Sequence, residues 1–372
     1  MKWHFISVGA TFNINSTDKK AIGGTQSSIC YLMKSLSSLN QTINFWCTKG
    51  EEGIINNVKH YNLKNFDQFS DIEADIIIYS GSSKYLRNLR TSLKKEIPIL
   101  FWTQHSFDQS GVIGLKDKNT INNLDGIVFV SEWQRINFIN LLNINSIPTY
   151  CIGNGITPEF CDMFKSLEEF EEKKLDNLGI YSSTPFRGLT ELYNASQYII
   201  GLKKIDVYSS MKIYDQEDLD VKYSKLYEDL ISSEKFNYFG SVNKKELAAS
   251  YKNKSFLTYP STFAETFCIT LLDALAAGLE PIITDLGALK ETSNGFGKII
   301  SLDSENFIKD YANLINISIE EKNKNFKKWC NKQYQQSLTI NKSHQWEKKS
   351  NQWIELVKML IFKKNLINGN KK

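Results

Sequence analysis

Short runs of β-branched and aromatic residues alternate with stretches of helical period along most of the chain, and this alternation restricts the fold more than any other feature. In the first half the runs are Phe5 to Val8, Ile43 to Cys47, Asp75 to Ser80, Pro98 to Thr103, Gly126 to Val130 and Thr149 to Ile152. Strands separated by helices at this spacing predict βαβ units and a parallel sheet. Between the first two runs, Ile29, Leu32, Met33, Leu36 and Leu39 recur at helical spacing. Ser131 and Gln134 have the separation of a capping box, so a helix is expected to start there. A second series follows: Leu178 to Tyr181, Lys204 to Tyr208, Phe236 to Phe239, Ser255 to Tyr259, Pro281 to Thr284 and Lys298 to Ile300.

The chain of 372 residues is long enough for two cores. Two Rossmann-like halves are therefore expected, the first over 1–160 and the second over 177–340. The stretch Thr157 to Asp176, with Pro158 and the run Glu168-Glu169-Phe170-Glu171-Glu172, lacks strand character, and 161–176 reads as a linker. The segment 341–372 reads as a basic helix. In it Trp346, Trp353 and Leu360 stand seven apart, with Ser350 and Val357 between them and Ile354 and Ile361 alongside.

Charge separates the tail from the rest. From Glu321 to Lys372 there are 13 Lys and 3 Glu, a surplus of ten, leaving 32 basic against 38 acidic residues upstream. A net +4 is too balanced for a protein that grips nucleic acid over its whole surface. The tail can be a packed terminal helix with its lysines in water, or a peripheral contact with a membrane surface. Cys30, Cys47, Cys151, Cys161, Cys268 and Cys330 form no Cys-x-x-Cys pair. The only histidines, His4, His60, His105 and His344, are not at zinc-like spacing. Neither a disulfide framework nor a metal site is expected. The N-terminus reads as a first strand and not a secretory signal, and no run is long enough to span a bilayer, which points to a cytoplasmic protein, at most peripheral to a membrane.

The segment from Tyr259 to Thr284 carries the most chemistry. It reads as a strand, a loop bearing Glu265, a helix from about Thr266 to Ala277, Gly278 as terminator, and another strand. A helix N-terminus at the carboxyl end of a parallel strand suits a phosphate. Glu265 can hold sugar hydroxyls or only complement the helix dipole; Asp273, two turns in, can hold a ribose or lie on a solvated face. Asp218-Leu219-Asp220 is the one Asp-x-Asp, but its charged surroundings read as a solvated loop or helix start.

This segment resembles the E-x7-E signature of retaining glycosyltransferases with the GT-B fold, particularly family 4, with Glu265 in the first position and Asp273 conservatively in the second. Pro260, Ala274, Gly278 and Pro281 match the same pattern. The resemblance implies two Rossmann-like domains facing a central cleft, with a C-terminal helix crossing back to the first domain. It implies that Glu265 contacts the transferred sugar, Asp273 the ribose, and the backbone at Thr266, Phe267, Cys268 and Ile269 the diphosphate. Gly23-Gly24 resembles the family's N-terminal glycine loop, where backbone approaches the donor phosphate and the acceptor. Trp102-Thr103-Gln104-His105 resembles its Trp-x-His element, which puts His105 near the reacting sugar. Val130-Ser131-Glu132 and Ile152 to Ile156 resemble two further landmarks.

Tyr181 to Leu189 resembles the start of the donor domain, where many members carry an Arg and a Lys to neutralise the leaving diphosphate. Here only Arg187 is present, in the position of the Lys, with Ser182 and Ser183 where the other cation would lie. The resemblance thus implies transfer of a hexose from a nucleotide-diphosphate sugar to a saccharide or lipid-linked acceptor, with Glu265, His105 and Arg187 catalytic and no metal. A dinucleotide oxidoreductase would need G-x-G-x-x-G after the first strand, and only Gly9 is there. A catalytically silent sugar-nucleotide-binding relative, and a phosphorylase or epimerase on the same fold, remain as alternatives.

Overall fold

The computed structural model describes residues 1–369, with no side-chain description at 65–68 and 367–369. The chain divides into two compact units. The first comprises Met1–Ser16, Gly24–Gly155 and the chain from Trp346 onward; the second comprises Thr17–Gly23 and Ile156–Gln345.

The first unit is built on a sheet of eight strands: β1 (Lys2–Val8), β2 (Thr42–Cys47), β3 (Gly53–Ile55), β4 (Val58–Asn62), β5 (Ile76–Gly81), β6 (Ile99–Trp102), β7 (Gly126–Phe129) and β8 (Thr149–Cys151). Their order is β3-β4-β2-β1-β5-β6-β7-β8, parallel except for the β3–β4 pair. Five of the six predicted strands agree to within a residue or two at each end, and β1 begins three residues earlier than read. The hairpin β3–β4 was not expected. Asn56 and Asn57 both take left-handed φ, 47° and 62°, between Ile55 and Val58. Two left-handed residues make the tight turn whose twist matches paired strands, and asparagine tolerates it. Strands β5 to β7 are buried on both faces, so they read as unbroken apolar runs and not as alternating ones.

The predicted helix after β1 is Gly24–Ser38. Ser131 caps the helix Glu132–Leu142, its Oγ accepting from Gln134 N at 3.0 Å. The reciprocal bond differs from the expected box. Gln134 Oε1 accepts from Val130 N at 2.8 Å, while its amide donates to the carbonyls of His105 and Thr103 at 2.7 and 3.2 Å. One fully buried side chain therefore ties the end of β7 to the loop after β6.

The expected terminal helix is two helices, Phe326–His344 and Trp346–Gly369, broken at Gln345. The stripe read from sequence faces inward: Trp346, Ser350, Trp353, Val357 and Leu360 are all buried. Trp353 meets Trp102 edge to face at 5.2 Å, Trp346 lies beside Tyr31, and Ser350 Oγ bonds Ser35 Oγ at 2.8 Å. Residues 370–372 of the predicted segment lie outside the described residues. Trp353→Ala should cost about 3–5 kcal/mol, because it empties a core position that the surroundings cannot refill; a urea titration showing less than about 1 kcal/mol lost would refute this.

The second unit has six parallel strands: β9 (Leu178–Ser182), β10 (Lys204–Tyr208), β11 (Phe236–Tyr238), β12 (Phe256–Tyr259), β13 (Glu280–Thr284) and β14 (Lys298–Ile300). Their order is β11-β10-β9-β12-β13-β14. Chain order reverses between β9 and β12, and crevices at the carboxyl ends of such neighbouring strands are where open α/β sheets bind ligands. The expected linker 161–176 is part of this unit. Ser166 caps a helix, Leu167–Lys173, whose Phe170 is fully buried against Gly278. The acidic run is the wet face of an amphipathic helix, which is why it looked like a connection.

Candidate active site

The loops leaving β9 and β12 meet at the reversal of the second sheet. Gly188, at φ +96°, ends the first loop and stands before the helix Leu189–Ser196. A Cβ there would lie 2.0 Å from the carbonyl oxygen of Pro260, so the two loops touch backbone to backbone and only glycine fits. That contact sets Arg187, from the first loop, against Glu265, from the second. Glu265 is itself pinned: it bridges to Gly287, and its carbonyl accepts from Ala288 N at 2.7 Å. Gly287 is also left-handed, with no room for a Cβ beside Glu265.

The side chains form one cluster, in which Glu265 and Tyr259 are buried and Arg187 is partly buried. Arg187 Nη1 donates to Glu265 Oε1 at 2.8 Å, and the Tyr259 hydroxyl donates to the same oxygen at 2.5 Å. Ser183 Oγ lies 3.4 Å from the Tyr259 phenol oxygen. Arg187 Nη2 reaches the Tyr214 hydroxyl at 3.4 Å, and the guanidinium carbon lies over the rings of Phe263 and Phe186 at 4.8 and 5.4 Å. Burial works against the charge on Arg187, but Glu265, with Tyr214 and Tyr259, outweighs it and keeps the guanidinium firmly protonated. Burial and then Glu265 push the Cys268 thiol up, so it stays an unreactive thiol. Both side-chain bonds of Glu265 go to Oε1, which leaves Oε2 without a hydrogen-bond partner among the described residues.

Expectations about this segment and its neighbours need correction. The helix begins at Ile269 and not near Thr266, because Cys268 takes φ +69° and breaks the helical path. Thr266, Phe267 and Cys268 are therefore loop residues, and the N-cap residue Cys268 makes no side-chain capping bond. Asp273 is not on a solvated face. It is buried, and its Oδ1 accepts from Thr157 N at 2.9 Å. The Ser182 hydroxyl is also turned inward, bonded to the Tyr251 hydroxyl at 2.5 Å. Asp220 departs from the solvated reading as well: its carboxylate takes bonds from Ser210 Oγ, Met211 N and the Tyr227 hydroxyl, which staples the loop that carries Tyr214.

Burial pushes Asp273 up from 3.8 to about 6; Lys244 and the Thr157 amide work against the rise and Glu159 adds to it. The folded state then binds this proton more tightly than the unfolded chain. Stability contributed at low pH is lost as pH rises from about 4 to about 6, and it stays lost above. Asp273→Asn keeps an acceptor for Thr157 N without the charge. It should stabilise the protein by about 1–3 kcal/mol near neutral pH and leave it unchanged near pH 4. Thermal melts at the two pH values check this, and equal shifts at both would contradict it.

Of the predicted residues, the second unit gathers Gly23, Ser182, Ser183, Arg187, Glu265, Thr266, Phe267, Cys268, Ile269 and Asp273. His105 and Gly24 belong to the first unit. The His105 ring lies over Gly111, where a Cβ would stand 3.1 Å from Nε2, and burial lowers its pKa, favouring neutral imidazole. Its imidazole has no hydrogen bond to protein among the described residues. Tyr259 and Tyr214 were not expected in the site. Tyr259 ends β12 at its carboxyl end, a position that could have been read from sequence; Tyr214 comes from an irregular loop with no such signal.

Residues 186–336 match the family described as glycosyl transferases group 1, a stretch that includes Arg187, Tyr214, Tyr259, Glu265 and Asp273. Comparison with curated proteins by sequence finds no match. Solved structures are similar over nearly the whole chain. A glycosyltransferase from Rickettsia africae ESF-5 is 15% identical, with a TM-score of 0.73 covering 97% of this chain and 99% of that one. Anabaena HepE in complex with UDP-glucose is 13% identical, with a TM-score of 0.70 over 96% and 99%. Sucrose-phosphate synthase from Thermosynechococcus elongatus is 11% identical, with a TM-score of 0.69 over 96% and 99%. The fold is thus that of GT-B glycosyltransferases. With a glycosyl transferases group 1 domain over residues 186–336 of its second unit, the chain is a glycosyltransferase.

Proposed function

We propose that the protein is a retaining, family 4-like enzyme that moves a hexose from a nucleotide-diphosphate sugar to a hydroxyl of a saccharide or lipid-linked acceptor, in cell-surface polysaccharide, glycolipid or glycoconjugate synthesis. The observation that carries this reading is the Arg187–Glu265–Tyr259 cluster at the strand-order reversal of the second sheet. Glu265 Oε2 would hold sugar hydroxyls while Tyr259 and Arg187 fix the carboxylate. In the reaction the bond from the anomeric carbon to the phosphate oxygen breaks on the face where the acceptor oxygen bonds, and the acceptor proton passes to the departing phosphate.

Charge builds on that phosphate, and a preorganised cation and amides oppose it most effectively where water is excluded. Arg187 and the first amides of Ile269–Ala276 would supply this without a metal. Asp220, the nearest thing to a metal-binding motif, is already committed to three donors. HepE is described in complex with UDP-glucose, which supports a uridine donor as the first to test.

UDP-, GDP- and ADP-sugars should be screened for thermal stabilisation, since a ligand that binds only the folded state raises its melting temperature. The stabilising donor should then release nucleoside diphosphate with acceptor present, undiminished by EDTA, and give a product of the donor's anomeric configuration by NMR. Stabilisation without release would favour a silent binder. Strict dependence on added Mn²⁺ would overturn the metal-free reading, and an inverted product the retaining one.

A further inference from the structure

A capping box of ordinary form turns its Gln back on the N–H of the N-cap residue. In the helix Glu132–Leu142 the side chain of Gln134 leaves that local bond and reaches the loop after β6. Thr103, just past the end of β6, still bonds β7 through its N–H to Val128 O at 3.2 Å. Past that point Gln134 takes over from the sheet, and the residue it secures is His105.

The network fixes which end of the carboxamide is which. Its oxygen accepts from Val130 N at 2.8 Å, so its nitrogen faces the carbonyls of Thr103 and His105, 3.2 and 2.7 Å away, with one N–H for each. Both carbonyls on either side of Gln104 are thus tied to one fully buried side chain. His105 N is held from within the turn, donating to Thr103 Oγ1 at 3.2 Å. The imidazole has no hydrogen bond to protein among the described residues. A Cβ on Gly111 would stand 3.1 Å from its Nε2 and 3.2 Å from both Cδ2 and Cε1, so the face of the ring rests on that glycine. The place of the ring therefore follows from its backbone, and the only side chain from another element that holds this backbone among the described residues is Gln134.

Given the reading that His105 meets the transferred sugar, we propose that Gln134 is a positioning residue for the reaction: its carboxamide fixes the turn 103–105 and so presents the His105 imidazole in one orientation. A helix that spends a capping side chain on a distant loop gives up local stability for that placement.

Gln134→Met keeps the length of the side chain and loses both donors. Its first readout is NMR and needs no donor sugar. With histidine labelled at Cε1 the protein gives four ring signals, from His4, His60, His105 and His344, and His105→Ala identifies its own by loss. Gln134→Met should shift or split the His105 signal and leave the other three in place. An unmoved His105 signal would overturn the proposal. So would equal movement of His4 and His60, which are buried in the same sheet and would report a general loosening.

The second readout is turnover with whichever UDP-, GDP- or ADP-sugar stabilises the protein. Gln134→Met should lower kcat at least about tenfold while KM for that sugar nucleotide stays within about twofold. In a His105→Ala background the same substitution should change kcat less than about twofold, because a residue that acts only through His105 has nothing further to lose. An equal fall in both backgrounds would make Gln134 structural and overturn the proposal. Full turnover by His105→Ala would instead remove His105 from the reaction and the positioning role with it, a result distinct from a Gln134 variant that turns over normally while His105→Ala does not. Should the methionine variant not fold, Gln134→Glu gives the same two readouts, since it keeps an acceptor for Val130 N and changes only the end that faces the two carbonyls.

Discussion

Glu265→Gln should lower kcat by about 100-fold, close to 3 kcal/mol of transition-state stabilisation, with the melting temperature little changed. The amide is nearly isosteric, and its oxygen can still accept from Tyr259 and Arg187, so the loop should keep its shape. The negative charge that the proposed reaction sets against the developing positive charge on the sugar would be lost. Glu265→Ala is a harsher change, because it leaves the partly buried Arg187 cation without its partner, and breaking such a pair costs about 3–5 kcal/mol. The two variants together separate chemistry from folding. Unchanged turnover in a folded Glu265→Gln protein would remove Glu265 from the reaction.

Gly188→Ala should be among the most damaging substitutions of a residue with no functional side chain, at about 4 kcal/mol or more. Two costs combine there. An L-residue at φ +96° is strained, and the new methyl would stand 2.0 Å from the Pro260 oxygen, so the loops after β9 and β12 must part. Gly240→Ala is the control: its φ is +67°, but nothing lies within 4 Å of the added carbon. It should cost only about 1 kcal/mol, the conformational term alone. Equal denaturant midpoints for the two variants would show that the backbone contact carries no weight. If Gly188→Ala folds at all, its donor affinity should fall, because Arg187 and Glu265 are aligned by that contact.

Much of this was legible from residues that act locally. Strand runs such as Ile76 to Ser80 and Lys204 to Tyr208 are apolar or β-branched enough to define both sheets, and Ser131 capped its helix as the spacing required. Glu265 and Arg187 could be placed in loops at strand ends without coordinates. What was missed depends on contacts distant in sequence. Cys268 delays a helix because the loop before it is bonded elsewhere, including Phe267 O to Thr292 Oγ1. Asp273 and Ser182 are drawn inward by Thr157 and Tyr251, partners 116 and 69 residues away. Tyr214 reaches Arg187 only because Asp220 folds its loop. The acidic stretch 168–172 was misread for a simpler reason: one buried Phe170 in a short helix leaves almost no periodic signal.

The order in which the ribosome delivers these segments sets a schedule for folding. Residues 156–345, the bulk of the second unit, have all emerged before Trp346 and Trp353 are made. The first unit lacks the tryptophan that covers Trp102 until the second unit has been made, although its own eight strands precede that unit in the chain. A nascent chain, or one truncated before Trp346, therefore presents an uncovered aromatic surface to chaperones and proteases, and the unit begun before the other is completed after it.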